Sequence, residues 1–147
     1  MTDRQLRATI GLLALAGTAL AAYLVFVHYS GRPVTCSFGG CETVHRSKYS
    51  EVLGVPVALL GLGAYVAILA LSLSCSEAAR AAGLAIALSG VLFGAYLLYA
   101  QVVVIEALCE WCLLSDALLS VIAALSLLRL LTKGAPAPPG VPARART

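Results

Sequence analysis

The chain has 147 residues, 61% of them hydrophobic and only 12% charged, with a formal net charge of +3. That balance excludes an ordinary soluble domain, and so small and dispersed a charge excludes nucleic acid as the partner. No internal repeat is visible.

Four apolar runs follow one another along the chain. Residues 8–27, 56–75 and 81–105 carry no charge, and 111–131 carries only Asp116 and Arg129. Each is about 20 residues or longer, enough for a helix to cross ~30 Å of hydrocarbon. Arg4 and Arg7 ahead of the first run, with Ala19-Leu20-Ala21 inside it, mimic a cleaved secretory signal. The run continues unbroken through 23–27, however, and reads as an uncleaved anchor. Small residues such as Gly11, Gly17, Gly61, Gly63, Gly83, Gly90 and Gly94 let helix backbones approach closely where lipid removes the hydrophobic drive. The expectation is an all-α membrane protein, a four-transmembrane-helix bundle over residues 1–132. The remainder, 133–147, holds Pro136, Pro138, Pro139 and Pro142 and reads as a disordered cytoplasmic tail.

After the first run, Ser30-Gly31-Arg32-Pro33 breaks the helix, and 34–40 forms an irregular loop holding Cys36. From Cys41, the positions Val44, Ser47/Lys48 and Val52 suggest a short amphipathic helix on the membrane surface, ended by Gly54. Pro56 suits the first turn of the second span. The joint around 74–80 is short, which forces antiparallel neighbours.

Lys and Arg placement orients the bundle. With the N-terminus inside, Arg4, Arg7, Arg80, Arg129, Lys133, Arg144 and Arg146 are cytoplasmic, against Arg32, Arg46 and Lys48 outside. That bias supports both termini in the cytoplasm of a cell inner membrane. Cys36, Cys41, Cys109 and Cys112 then lie on the oxidising outer side, and Cys75 alone faces inward as an inert thiol.

Cys109-Glu110-Trp111-Cys112 opens the fourth run. Two thiols at this spacing share one helix face, and backbone N–H groups at a helix start stabilise a thiolate. Asp116 follows on the same face, with Ser115 three residues past Cys112; a carboxyl one turn inside a membrane is a functional candidate, or else a polar contact within the bundle. Trp111 suits a headgroup-level anchor or the wall of a flat ligand's pocket. Glu106 reads as a solvated carboxylate. No Gly-x-Gly-x-x-Gly or Walker loop points to a nucleotide. His28 and His45 read as outer-surface residues, so a haem deep in the bundle has no ligands. A lipid-soluble quinone needs only an apolar slot beside the thiols, and disulfide formation outside the bacterial inner membrane is driven by quinones.

The residues Cys41-x-x-Val44-x-x-Ser47-x-Tyr49, then Gly54-Val55-Pro56-Val57-x-x-Leu60-Gly61-x-x-x-Tyr65, then Cys109-Glu110-Trp111-Cys112 resemble the vitamin K epoxide reductase family in its bacterial form. The resemblance spans 12–131. It implies that Cys36 and Cys41 are a shuttle pair and Cys109 and Cys112 an inner pair beside the quinone. In that scheme a thioredoxin-like partner forms a mixed disulfide at Cys36. Cys41 then attacks Cys109, freeing Cys112 as the thiolate nearest the quinone. Ser47 matches a loop residue that positions the shuttle segment or the quinone end. Trp111, Ser115 and Asp116 complete the expected quinone contacts. Where vertebrate members hold a naphthoquinone with an asparagine and a tyrosine, this chain has Val57 and Asp116. That favours a respiratory quinone, menaquinone or ubiquinone, over vitamin K epoxide. Some bacterial relatives carry a fused thioredoxin-like domain; here the partner is expected to be a separate outer-side protein.

Two rival readings remain. All four outer cysteines could clamp a structural zinc ion, or they could form static disulfides without turnover. The redox reading requires no metal.

Overall fold

The computed structural model describes residues 2–37 and 39–134. The Pro-rich stretch from 135 onward, expected as a tail, lies outside the described residues.

Helix α1, Asp3–Ser30, begins with a capping box in which Thr2 and Gln5 satisfy each other's backbone N–H groups. It ends at Gly31, whose left-handed backbone (φ 64°) a side chain would disfavour. α3 covers Val57–Leu73 and α4 Glu77–Tyr99, the latter capped by the Ser76 hydroxyl. α4 runs on through a π-helical turn, Ala100–Ile105, and α5 covers Glu110–Gly134. Among the described residues, three helices are long and apolar enough to cross a membrane: Asp3–Ser30, Glu77–Ile105 and Glu110–Thr132. α3, at 17 residues, is a shorter apolar helix.

α1 packs on α3 and α5, and α4 packs on α3 and α5, closing a ring of four helices. Close approach of α1 and α3 depends on Gly17, where a methyl group would collide with the fully buried Tyr65 ring. The central core gathers Ile10, Ala14, Tyr65, Ile68, Ala87 and Ile122. At the end where α1 begins and α5 finishes, the buried Arg129 donates to the Asp3 carboxylate at 2.9 Å, and Arg7 donates to the Ser72 carbonyl at 3.0 Å. These bonds close the ends of α1, α3 and α5 together.

The loop between α1 and α3 departs from expectation. Instead of a helix reaching Val52, α2 covers only Cys41–His45. A 3-10 turn at Lys48–Ser50 follows, and strands β1, Glu51–Val52, and β2, Val55–Pro56, pair antiparallel. The cause is local. The Ser47 hydroxyl and backbone N–H both bond to the Val44 carbonyl, and the Ser50 hydroxyl bonds to Ser47, so serines divert the backbone from helix continuation. Leu53 and Gly54 then take positive φ (53° and 80°), the conformation a tight hairpin demands.

Candidate redox site

A second apolar cluster fills the opposite end of the bundle. It contains the buried Leu24, Val27, Val34, Cys41, Val44 and Cys109, with Cys36, Trp111 and Cys112 packed against it. Two cysteine pairs about half the chain apart in sequence therefore share one apolar cluster. Cys36 and Cys41 are joined as a disulfide, while Cys109 and Cys112 are free thiols. Cys75 is an exposed thiol at the far end, beside the Arg7 guanidinium.

Cys109 stands immediately before α5, in the position where a serine would cap the helix. Its carbonyl accepts from Leu113 at 3.0 Å, and its Sγ accepts the Cys112 backbone N–H at 3.4 Å. The hydrogen bond from the Cys112 thiol, backed by His45 and the Cys112 backbone N–H, outweighs burial and holds the Cys109 thiol down at about 5. That biases Cys109 toward its thiolate form. Its own backbone N–H donates to the side-chain oxygen of Gln101 at 2.9 Å. Gln101 is buried inside the π-helical turn, with its amide directed at Cys109. Glu106, expected as a solvated carboxylate, ends that turn in a left-handed conformation (φ 53°).

The loop holding Cys36 is fastened to the same place. The Trp111 indole N–H donates to the Thr35 carbonyl at 2.7 Å, and the Ser37 N–H donates to the Glu110 carboxylate at 3.0 Å. A methyl group on Gly40 would run into the Leu108 backbone, so the chain passes there only as glycine. Trp111 also packs against Tyr23, with ring centroids 5.5 Å apart. It is thus a tie between the two cysteine-bearing segments. It does not line the ligand cavity expected of it, and neither does Ser47, whose hydroxyl is turned back onto α2.

A cavity of about 460 Å³ opens between the helices beside the thiols. Its walls are mostly aliphatic and come from all four long helices; Cys112, Ser115 and Asp116 of α5 face it, as expected from sequence. Cys109 does not line it. The Ser115 hydroxyl lies 3.0 Å from the Tyr65 hydroxyl, which also donates to the Ser115 carbonyl at 2.9 Å. The Asp116 carboxyl lies over Gly94, where any side chain on α4 would displace it. The volume falls within the usual range for small-molecule pockets, about 300–1,000 Å³. An apolar slot with a thiol and a carboxyl at one edge fits a flat, lipid-soluble ring that accepts electrons and protons.

His45 is a correction. Read as an outer-surface residue, it has its Nε2 buried without a hydrogen-bond partner, and it lines the cavity, as does His28. A ring nitrogen of His45 and the Sγ atoms of Cys109 and Cys112 lie within 4.8 Å of one another. Its spacing was a usable signal, since His45 is four residues past Cys41 and shares its helix face. Gln101, the single amide of its apolar run, was another. Cys36 and Cys41 being disulfide-bonded, the four-thiolate zinc clamp is not what this conformation builds. The only set of three metal-capable donors among the described residues is His45, Cys109 and Cys112.

A bundle of long apolar helices that brings a disulfide and a dithiol into one apolar cluster defines a class, the membrane thiol–disulfide proteins. The profile of the vitamin K epoxide reductase family matches residues 8–127, most of the chain, and the chain belongs to that family. It is accordingly a helical membrane protein and a thiol–disulfide oxidoreductase in the general sense.

Proposed function

We propose that this protein carries electrons from a separate thioredoxin-like thiol protein, through Cys36 and Cys41 and then Cys109 and Cys112, to a membrane quinone. The observation that carries the reading is the order of the sulfurs. The disulfide pair sits on the surface loop, the dithiol pair at the helix start, and of the inner pair only Cys112 opens to the cavity.

The partner's thiolate attacks Cys36, so that the Cys36–Cys41 bond breaks and Cys41 leaves as a thiolate. Cys41 attacks the Cys109–Cys112 disulfide at Cys109 within the shared apolar cluster, and the electron pair moves to Cys112. The partner's second thiol then displaces Cys36 and leaves as a disulfide, and the Cys36 thiolate attacks Cys41, restoring the Cys36–Cys41 bond and freeing Cys109. The quinone, bound in the cavity, supplies the acceptor for two electrons and two protons. Ser115 and Asp116 shape the slot around its ring, while Trp111 holds the shuttle loop over the inner pair. Ser47 acts through the loop's shape. Menaquinone or ubiquinone suits the slot. Val57 and Asp116 stand where vertebrate relatives hold vitamin K with an asparagine and a tyrosine.

The same reading gives four crossings. α3, at 17 residues, rises ~25 Å and can still span the hydrocarbon with the hairpin residues next to it. Both termini are then cytoplasmic, in agreement with the Lys and Arg bias, and the cysteine end faces outward in the plasma membrane. Residues 1–132 form the membrane domain, with a Pro-rich tail from 133.

Two variants test the division of labour. Cys112→Ala abolishes quinone reduction yet still forms a mixed disulfide with reduced thioredoxin at Cys36. Cys36→Ala stops thioredoxin oxidation but leaves the inner pair reactive with quinone. Loss of quinone reactivity in both variants, without thioredoxin present, would rule out the two-pair relay.

A further inference from the structure

The relay moves protons as well as electrons, and the groups named so far leave the thiol protons without a carrier. Each time the inner pair is oxidised, the proton on Cys112 must leave. Each time it is reduced by Cys41, the departing Cys112 sulfur takes up charge in a site largely closed to water. His45 is the only described imidazole beside both sulfurs, with a ring nitrogen within 4.8 Å of each. Its Nε2 is buried with no partner at ordinary hydrogen-bond geometry, while the imidazole stands close enough to the Cys109 sulfur to help hold that thiol down. The same ring lines the cavity next to Cys112 and Asp116. It also rides on α2, one turn from Cys41, so the helix that delivers the attacking sulfur delivers the imidazole with it.

We propose that His45 is the acid–base residue of the inner cysteine pair. The proposal rests on the thiol-to-quinone reading above. When the Cys41 thiolate attacks Cys109, the Cys41–Cys109 bond forms and the Cys109–Cys112 bond breaks. The electron pair leaves on Cys112, and His45 gives that sulfur a proton. The partner's second thiol then releases Cys36, whose thiolate attacks Cys41 and frees Cys109, restoring the Cys36–Cys41 bond. When Cys109 and Cys112 close again, two electrons pass to the quinone, with one proton from Cys112 and one from solvent. His45 takes the one on Cys112, and the quinone leaves as quinol. Imidazole is the side chain suited to taking and returning a proton near neutral pH.

Other ionisable groups share this environment. His28 from α1, Tyr49 after α2 and Asp116 from α5 line the same cavity, while Glu42 and Arg46, on the helix of His45 and just past its end, pair with each other. None of them lies in the three-atom cluster with the two sulfurs.

The test uses the full chain in lipid nanodiscs, chemically reduced and freed of reductant. It is mixed anaerobically with a short-chain naphthoquinone, and quinol absorbance is followed through one turnover across a pH series. Wild type, His45→Ala and His45→Gln are compared, each with and without added imidazole. Far-UV circular dichroism and the thermal melt check folding, and His45→Gln retains a polar side chain of similar reach should the alanine variant misfold. We expect His45→Ala and His45→Gln to react on the order of a hundredfold more slowly at neutral pH. Added imidazole should restore part of the alanine variant's rate, which a packing defect would not allow. Unchanged rates in both folded variants would overturn the proposal, as would slow rates that imidazole leaves untouched. Stoichiometric zinc on the reduced wild type, lost in His45→Ala, would also overturn it and make His45 a metal ligand. If wild type itself forms no quinol, the quinone reading fails with it, an outcome distinct from all of these.

Discussion

The side-chain oxygen of Gln101 accepts the backbone N–H of Cys109 at 2.9 Å, both residues being buried. This bond ties the end of the third long helix to the first residue of the C-x-x-C pair. Gln101→Leu leaves that N–H unsatisfied, at a cost of about 1–3 kcal/mol, whereas Gln101→Glu keeps an acceptor in place. Thermal unfolding in detergent should show a lower melting temperature for the leucine variant than for wild type. Identical melts would mean that the bond carries no stability.

The Cys109 thiol titrates at about 5, held there by the hydrogen bond from Cys112 with His45 behind it. Its folded value lies below the ordinary thiol value, so the thiolate persists through neutral pH and is lost as pH falls through about 5. The difference in thiolate ultraviolet absorbance between wild type and Cys109→Ser, both reduced, should trace that midpoint. An absorbance still climbing above neutral pH would contradict it.

Trp111→Phe keeps a ring against Tyr23 but deletes the N–H bond to the Thr35 carbonyl. Losing about 1 kcal/mol of loop anchoring should slow transfer from the shuttle pair to the inner pair by roughly fivefold. Quinol formation by pre-reduced protein should be unchanged. Equal slowing of both steps would place the indole at the quinone instead.

Asp116 separates two roles by substitution. Asp116→Asn retains a hydrogen-bonding group in the cavity wall and should keep most of the quinone-reducing rate. Asp116→Leu should lose on the order of tenfold or more. Near-normal rates in both would leave Asp116 as a packing residue over Gly94.

The apolar runs were legible because a long helix without charges announces itself by composition alone. The runs 8–27, 81–105 and 111–131 correspond to α1, α4 with its π-helical turn, and α5. The four cysteines were equally visible, and the C-x-x-C spacing placed Cys109 at a helix start. The length of α2 was misread because apolar spacing past Cys41 cannot register serine hydroxyls that redirect the backbone. The π-helical turn was hidden too, since hydropathy is blind to a one-residue change of register. His45 looked exposed because a histidine in a polar loop usually is. The burial of its Nε2 arises where α2, α5 and the cavity meet, and the only local sign of it is the four-residue spacing from Cys41.

The claim that joins these features is that electrons leave the shuttle pair only through Cys112 into the cavity. Purified full-length protein in nanodiscs, supplied anaerobically with reduced thioredoxin and a naphthoquinone, allows quinol formed and thioredoxin oxidised to be counted together. The account predicts one quinol for each thioredoxin disulfide above the protein-free background, and none with Cys112→Ala. Thioredoxin oxidised without quinol, or quinol formed equally well by Cys112→Ala, would contradict it.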